Sequence, residues 1–491
     1  MTRPMYQDAA AAAAVSRRTM VLLLLLFTFS LSSFTLVTAE CPDKCRCDEA
    51  YINCNFEELD RIPERIPPDT KVLRLSGNLI SNLKNGAFAS LSKIHKLFLS
   101  GNEIDNIDTG CFNNLTSLEN LNLDHNKIHN LDFLQSKGLA RLNILTLDYN
   151  EISNLKNGVF ENLSKLQSLS LVKNKIENIE SGVFNNLTRL ESLSLEQNQI
   201  HKLDLEMFKG LIKLDTLDLS HNLIRSIPPG IFDSLTSLSL LTLNDNEINN
   251  LKNGAFANLS KLWRLFLSGN KIEDIESGVF NNLTSLKYLF LGSNKIHKLD
   301  LEMFKGLIKL DTLNLSHNMI RNIPPGIFDS SVSLSRLILD HNPLTCDCNI
   351  LLFVNALKKN YPKLDVFGDH DPLCYLPVEM SEKSLKKLTE NDFHCTPPDV
   401  IVVPEKKTVL VGEELQLSCK AVGDPEPLIT WAKDDIYLEL GQRVQVFQNN
   451  TLIIPKVERT DGGQYKCVAS NYLGRKSFDA MVNVNGLAEN G

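Results

Sequence analysis

Residues 214–224 read LDTLDLSHNLI, and this Leu-x-x-Leu-x-Leu-x-x-Asn-x-Ile pattern recurs with small variations up to residue 342. Successive copies are 24 residues apart, with no insertion or deletion across twelve copies. The asparagines that mark the register are Asn78, Asn102, Asn126, Asn150, Asn174, Asn198, Asn222, Asn246, Asn270, Asn294, Asn318 and Asn342. A strict period in this range is typical of a solenoid, in which each repeat forms one coil.

The pattern has a physical basis in each coil. Alternating Leu-x-Leu predicts a short strand with one buried face. No repeat can bury that face alone, so stacked neighbours must complete the core. The asparagine amide offers both a donor and an acceptor, and we expect it to satisfy backbone groups in the turn after the strand. The pattern resembles that of leucine-rich repeats, which implies an α/β horseshoe with a parallel concave sheet.

A phenylalanine recurs ten positions after the repeat asparagine and is expected to fill the convex side of the coil. These residues are Phe88, Phe112, Phe160, Phe184, Phe208, Phe232, Phe256, Phe280, Phe304 and Phe328. The repeat after Asn126 has Ser136 there, and Leu134 and Leu139 are expected to repack in its place. Residues 200–217 recur verbatim at residues 296–313, which indicates duplication of a block of four repeats.

Residues 1–39 have the features of a signal peptide. Arg17 and Arg18 precede an apolar run that ends at Val37-Thr38-Ala39, where small residues suit a signal peptidase. An uncleaved signal anchor is the alternative, although serines and a threonine interrupt the run. No second stretch approaches the roughly 20 apolar residues that span a bilayer, and the C-terminus lacks the apolar tail of a lipid-anchor signal. The sequence therefore predicts a secreted protein of the extracellular space or matrix.

The net charge of −8 argues against nucleic acid as a partner, because nucleic-acid binding needs a basic face. One basic cluster nevertheless lies beside the last repeat: Lys358, Lys359, Lys363, Lys383, Lys386 and Lys387. A glycosaminoglycan contact at this cluster is a hypothesis, and a solvated face is the simpler interpretation.

Ten of the eleven cysteines fall into three even-numbered sets. The sets are Cys41, Cys45, Cys47 and Cys54; Cys346, Cys348, Cys374 and Cys395; and Cys419 with Cys467. Even-numbered sets in a secreted chain indicate disulfides, and the end coils of a solenoid need caps over their apolar faces. Zinc binding is the alternative, but an oxidising compartment and the absence of histidine partners argue against it. Each set of four permits three pairings.

The two sets of four resemble the caps of extracellular leucine-rich-repeat proteins. The first set follows CPxxCxC at residues 41–47, and the second follows NPLxCDC at residues 342–348. The resemblance implies the pairs Cys41–Cys47, Cys45–Cys54, Cys346–Cys374 and Cys348–Cys395.

Beyond Cys395 the 24-residue period gives way to alternating Val, Leu and Ile. Cys419, Trp431 and the segment DGGQYKC at residues 461–467 form an immunoglobulin pattern. Trp431 should pack on a Cys419–Cys467 bridge, and Tyr465 is placed for a tyrosine corner. The region resembles the intermediate set of immunoglobulin domains found in adhesion proteins, which implies an all-β sandwich.

The predicted organisation has five parts. They are a signal peptide at residues 1–39, an N-terminal cap at 40–70, twelve repeats at 71–342, a C-terminal cap at 343–396 and an immunoglobulin-like domain at 397–486. The combination is similar to neuronal leucine-rich-repeat and immunoglobulin receptors and to the N-terminal half of peroxidasins. The predicted parts include neither the membrane span of the former nor the further immunoglobulin domains and haem peroxidase domain of the latter, which leaves open whether this is a complete secreted protein or part of a longer chain.

No catalytic motif such as Gly-x-Ser-x-Gly, His-Glu-x-x-His or a phosphate-binding glycine loop occurs in the sequence. His125, His221, His317 and His341 each precede a repeat asparagine, which indicates an exposed, tolerant position rather than a metal cluster. We therefore expect neither enzymatic activity nor a cofactor. We predict a glycoprotein that binds extracellular or cell-surface proteins in adhesion, guidance or receptor signalling. Innate-immune pattern recognition and the N-terminal part of a matrix peroxidase are the alternatives.

The ligand-binding site is predicted on the outward face of the ninth and tenth repeats. Residues six, four and two before each asparagine point outward, because side chains alternate along a strand. The middle repeats place mostly small polar or charged residues there, whereas these two place Arg264, Phe266, Tyr288 and Phe290 there, with Trp263 at the edge of the strand. Adjacent aromatics with an arginine have the composition of an interface hot spot, although cross-strand aromatic pairs also stabilise a sheet.

Two further sequence features concern modification and redox state. Glycosylation sequons occur at Asn114, Asn162, Asn186, Asn258, Asn282, Asn314 and Asn449. The first five share one repeat position, and Asn314 continues the column of Phe266 and Phe290. The unpaired Cys111 takes a position held by small apolar residues in other repeats, so we expect a buried free thiol; an intermolecular disulfide is the alternative.

Overall fold

The computed structural model describes residues 41–360 and 370–486. The predicted signal peptide, Lys363 of the basic cluster and residues 487–491 lie outside the described residues. The chain divides into two compact units, Met1–Ser194 and Leu195–Gly491.

The first unit begins with an antiparallel pair of strands in the N-terminal cap and continues with parallel strands, one per repeat. The strands of this sheet are Arg46–Asp48, Tyr51–Asn53, Val72–Arg74, Lys96–Phe98, Asn120–Asn122, Ile144–Thr146, Ser168–Ser170 and Ser192–Ser194. Elsewhere in the coils lie the short strands Asn82–Leu83, Asn106–Ile107, Asn154–Leu155 and Asn178–Ile179 and the 3-10 helices Asp132–Gln135 and Lys137–Leu139. The central residue of each repeat strand is buried, as the Leu-x-Leu pattern requires.

The second unit continues the same repeat architecture. Its parallel strands are Thr216–Asp218, Leu240–Thr242, Arg264–Phe266, Tyr288–Phe290, Thr312–Asn314 and Arg336–Ile338. A pair of short parallel strands, Asn250–Leu251 and Asp274–Ile275, lies elsewhere in the coils. The C-terminal cap contains the strands Leu344–Thr345 and Cys374–Leu376, the α-helix Cys348–Asn360 and the 3-10 helices Val378–Met380, Leu385–Lys387 and Glu390–Asp392.

The rest of the second unit is a β-sandwich. One sheet contains Lys407–Leu410, Gly474–Asn485, Gly463–Asn471, Leu428–Lys433 and Ile436–Tyr437. A second sheet contains Leu415–Leu417, Leu452–Ile454 and Gln445–Val446, and a separate antiparallel pair contains Thr396–Val402 and Lys420–Asp424. The 3-10 helix Arg459–Asp461 precedes the long strand that carries Cys467. The predicted fold class, a repeat solenoid followed by an immunoglobulin-like sandwich, is confirmed.

The repeat asparagines are buried and bond to backbone groups of two neighbouring coils, as the sequence predicts. Asn246 is typical: its Nδ2 donates to the carbonyl of Leu219 in the preceding coil at 3.0 Å and to that of Leu243 in its own coil at 3.2 Å. Its Oδ1 accepts the Ile224 N–H at 3.0 Å. One side chain therefore satisfies donors and acceptors that the turn leaves unpaired.

The phenylalanines form stacked rows inside the coils. Phe232, Phe256 and Phe280 lie with successive ring centroids 6.3 and 6.1 Å apart, and all are buried. In the repeat without the expected phenylalanine, Leu134 and Leu139 are buried as predicted. The aromatic ring that packs next to Phe112 in this repeat, however, belongs to Phe133, whose centroid lies 5.7 Å from that of Phe112. The 3-10 helix Asp132–Gln135 shifts the chain so that Phe133 points inward, a rearrangement that the sequence analysis missed.

Five disulfides are present at the ends of the repeat region and in the sandwich. They are Cys41–Cys47, Cys45–Cys54, Cys346–Cys374, Cys348–Cys395 and Cys419–Cys467. These are the pairs implied by the resemblance to extracellular caps and to immunoglobulin domains. The first four lie in the cysteine-rich segments that flank the repeats, where a solenoid needs caps over its end coils, and the fifth lies in the apolar core of the sandwich.

The sandwich has the core that its sequence pattern indicates. Trp431 is buried opposite Cys467 in the antiparallel pair, and its Nε1 donates to the Asn450 carbonyl at 3.1 Å. The Tyr465 hydroxyl donates to the Asp461 carbonyl at 2.9 Å, which is the tyrosine-corner contact. Burial is the main reason why the pKa of Tyr465 is raised. The hydroxyl therefore stays protonated and retains this hydrogen bond at alkaline pH.

Cys111 is expected to resist thiol reagents in the folded protein. The side chain is buried and free of disulfides, and burial, with a smaller effect of Asp108, raises its pKa to about 12. Because the thiolate is the reactive form, alkylation at pH 8 should label Cys111 only after unfolding. Mass spectrometry of native and denatured samples measures this. Rapid labelling of the native chain, or a disulfide-linked dimer on non-reducing gels, would contradict it.

Candidate binding surface

The candidate surface lies on the outer face of two neighbouring strands in the second unit. Arg264–Phe266 and Tyr288–Phe290 pair in parallel, with Arg264 opposite Tyr288 and Phe266 opposite Phe290. Leu265 and Leu289, at the centres of these strands, are buried in the core. The flanking side chains must therefore point to the opposite, outer side of the sheet.

The side chains on these two strands form two neighbouring groups, which together we call the aromatic patch: Trp263, Arg264 and Tyr288, and beside them Phe266 and Phe290. The rings of Phe266 and Phe290 stack with centroids 4.9 Å apart. The Arg264 guanidinium carbon lies 4.1 Å from the Trp263 ring centroid and 5.3 Å from that of Tyr288. Trp263 meets Tyr288 edge to face at 5.6 Å. These stacking and cation–π contacts hold the side chains in place before any ligand arrives.

The aromatic patch is partly open to solvent. Trp263 exposes 36% of its surface, and the other four side chains are half-buried against one another. The structure thus brings all five predicted residues together, although their role in ligand binding stays a prediction. A half-buried patch of this kind offers a partner aromatic area whose rotamers are already restricted, which lowers the entropy cost of binding.

The two sides of the aromatic patch differ in chemistry. On one side lie Leu240 and Thr242, which pair with Arg264 and Phe266. On the other side Asn314 lies opposite Phe290, and its Oδ1 accepts hydrogen bonds from the backbone and hydroxyl of Ser316 at 2.9 and 2.8 Å. Asn314 carries a sequon, so a glycan there would stand directly beside the stacked phenylalanines.

The other sequon asparagines lie away from the sheet strands. The five that share a repeat position are exposed, and the side chains of Asn114 and Asn162 donate to backbone carbonyls of the preceding coil at 3.1 and 2.8 Å. Asn449 is exposed in the sandwich. Exposure is what glycosylation requires, and the use of these sites stays a prediction.

A second arginine–aromatic cluster, on the sheet of the first unit, was missed in the sequence analysis. The guanidinium carbon of Arg74 lies 4.6 Å from the Phe98 ring centroid and 5.8 Å from that of Tyr51. Arg74 and Phe98 stand four residues before their repeat asparagines, the same position as Phe266 and Phe290. Applying the outward-position rule to the first two repeats would have found this pair. Tyr51 belongs to the cap, where the repeat rule gives no signal.

Three of the five described lysines in the basic cluster of the C-terminal cap bond to local acceptors. Lys383 bonds to Asp392 and Lys386 to Asp371, each at 3.0 Å, while Lys358 donates to the Leu388 carbonyl at 3.2 Å. The hydrogen bond from Lys383 is the largest cause that lowers the pKa of Asp392 to about 2. The two ion pairs offset part of the positive charge of the cluster, and a glycosaminoglycan contact there stays a hypothesis.

Family comparisons identify both regions of the chain. The leucine rich repeat family matches residues 68–128, 140–200, 188–248, 236–296 and 285–344, which together cover more than half of the chain. The immunoglobulin I-set domain family matches residues 398–484. No helix in the described part of the chain has the length and hydrophobicity required to cross a bilayer.

Individual relatives share only part of the chain. The human leucine-rich repeat and immunoglobulin-like domain-containing nogo receptor-interacting protein 2 is 35% identical over 160 residues, or 30% of this chain and 25% of the relative. The Mus musculus leucine-rich repeat and fibronectin type-III domain-containing protein 2 is 33% identical over 144 residues, or 29% and 17%. Peroxidasin of Drosophila melanogaster is 31% identical over 116 residues, or 23% and 8%. The matched regions thus span a quarter or less of the length of these relatives.

Proposed function

We propose, since this chain belongs to the leucine-rich repeat family and carries an immunoglobulin I-set domain, that it binds another protein outside the cell. The five disulfides support an oxidising, extracellular location, because such bonds persist there and are rare in the cytosol. The relatives combine the same repeats with immunoglobulin or fibronectin domains, and one is named for its interaction with the nogo receptor. Adhesion, guidance or receptor signalling is the role that we propose for this chain.

The observation that carries the proposal is the aromatic patch. Exposed aromatic surface next to an arginine is enriched at the centres of protein interfaces, and an apolar patch on a secreted protein usually has a partner. The Arg264 guanidinium lies over two rings, and a planar guanidinium stacked in this way can still donate from its N–H edge to a carboxylate. We therefore propose a protein partner with an apolar surface and an acidic residue beside it.

The match to peroxidasin supports a second candidate, the N-terminal part of a matrix peroxidase. Leucine-rich repeats alone supply no oxidation chemistry, and the 116 matched residues cover only 8% of that relative. A transcript that continues past Gly491 into peroxidase sequence would support this candidate. A transcript that continues into a membrane span would support an adhesion receptor instead.

The protein-binding proposal is tested by replacing Phe266 and Tyr288 together with serine. A screen of the full chain against recombinant cell-surface ectodomains, with microbial glycans as a second panel, first identifies a partner. The double variant should then weaken that partner's binding by about 2 kcal/mol or more, as hot-spot truncation does, which corresponds to about thirtyfold in Kd. Thermal unfolding should change little, because both side chains lie on the outer face.

Phe98→Ser is the matched control, since it removes a ring at the same repeat position of another strand. Binding that survives the double variant but is lost in the control would transfer the site to Tyr51, Arg74 and Phe98. Binding that survives both would place the site elsewhere, on the immunoglobulin domain in the first instance. A hit on microbial glycans alone would favour pattern recognition over adhesion.

A further inference from the structure

Two histidines and an aspartate meet beside the last two repeat strands. His317 and His341 each precede a repeat asparagine, and the strands Thr312–Asn314 and Arg336–Ile338 that lead to them pair in parallel. Their rings stack with centroids 4.1 Å apart. Both side chains are exposed, whereas Asp340, which directly precedes His341, is buried. From the spacing alone these histidines were expected to occupy a tolerant exposed position rather than a metal cluster, because spacing does not show that consecutive coils superpose His317 and His341.

Asp340 is the unusual member of this group. Only 7% of its surface is exposed, and its Oδ2 lies 2.8 Å from Nδ1 of His341. Its other oxygen, Oδ1, is buried and has no hydrogen-bond partner among the described residues. Burying a carboxylate oxygen without a partner is costly. A cation held between Asp340 and the two imidazoles would remove that cost.

We propose that His317, His341 and Asp340 bind a divalent transition-metal ion, with zinc as the representative ion and water completing its coordination. One ligand atom from each of the three residues lies within 4.8 Å of the other two. Zinc–nitrogen and zinc–oxygen bonds are about 2.0–2.2 Å long, so side-chain rotations of the two exposed histidines can bring the ligands into a tetrahedral arrangement. Two imidazoles favour zinc or copper over calcium and magnesium, which prefer oxygen ligands only.

Among the described residues, the equivalent position in other repeats does not form the same group. At the same repeat position His221 faces Asp245 instead of a second histidine, with Nε2 3.5 Å from Oδ2, and His125 stacks on Tyr149. Beside His341 the ring of His370, from the C-terminal cap, lies edge on with its centroid 5.7 Å away. A bound ion would therefore tie the last two coils together next to the cap. This property is independent of the proposed protein-binding surface.

The test uses the full chain without a polyhistidine tag and measures Zn²⁺ and Ca²⁺ binding by titration calorimetry. The key variant replaces both His317 and His341 with glutamine. Glutamine suits these positions, whose φ angles are 52° and 56°, because Gln197 holds the same repeat position at a φ of 55°. The matched control is His221→Gln, which removes a histidine from the equivalent position outside the site.

We expect zinc to bind the parent chain and the control with the same affinity. The double variant should bind zinc at least about tenfold more weakly, because removing residues of a metal site typically lowers metal affinity by that much. Asp340→Asn should also weaken zinc binding, because it removes the anionic ligand. Added zinc should raise the Tm of the parent and the control but not that of the double variant. Equal zinc affinity in all chains, no zinc binding by the parent, or tighter calcium than zinc binding would each overturn the proposal.

Discussion

Phe256→Ala is expected to lower the free energy of unfolding by about 3–5 kcal/mol, the range for removing a fully buried aromatic side chain. Phe256 lies between Phe232 and Phe280 in the stacked row and has no exposed surface. The neighbouring rings belong to other coils and cannot close the gap without moving their own backbones. The loss of stability therefore includes the free energy of transferring the ring out of water and the cost of the cavity that remains. Urea unfolding followed by circular dichroism measures the change.

Two further variants separate packing from general loss of apolar surface. Phe256→Leu should lower the free energy of unfolding by less than Phe256→Ala does, because leucine leaves a smaller cavity. Leu205→Ala removes an apolar side chain that is 56% exposed and should change stability by no more than about 0.5 kcal/mol. If Phe256→Ala were as mild as Leu205→Ala, the row of rings would not be part of the folding core.

The sequence specifies the repeat architecture because each physical requirement recurs at a fixed interval. The buried leucines, the repeat asparagine and the phenylalanine ten residues later are all placed as the period predicts. Phe133 is an exception to the period. It stands seven residues after Asn126 and reaches the core through a local 3-10 helix that the period does not encode.

The candidate surface was predictable for a similar reason. Alternation along a strand places Phe266 and Phe290 on the outer face, and the constant period makes them neighbours. The position of Arg264 over the rings of Trp263 and Tyr288 depends on rotamers, which the sequence does not give. The group of His317, His341 and Asp340 was missed because burial of Asp340 and the stacking of the histidines emerge only when the coils are superposed.

Asn246→Ala is expected to lower the free energy of unfolding by about 3 kcal/mol, the upper end of the range for leaving a buried polar group unsatisfied. The side chain donates to the carbonyls of Leu219, Leu243 and Asn244 and accepts the N–H of Ile224. Alanine leaves all four backbone groups without this partner in a site where only 6% of the asparagine is exposed. Because Leu219 and Ile224 belong to the preceding coil, the change weakens both coils. Urea unfolding of the variant beside the parent gives the size of the loss.

Asn246→Asp tests whether hydrogen bonding or shape accounts for this loss. Aspartate has almost the same shape, yet at neutral pH it presents a carboxylate to the three carbonyls that Nδ2 serves in the parent. Repulsion between these oxygens, added to the burial of a charge, should make this variant at least as unstable as Asn246→Ala. Asn249→Ala, at an exposed position three residues later, should shift stability by no more than about 0.5 kcal/mol. An aspartate variant as stable as the parent would show that the volume of this side chain, and not its donors, holds neighbouring coils together.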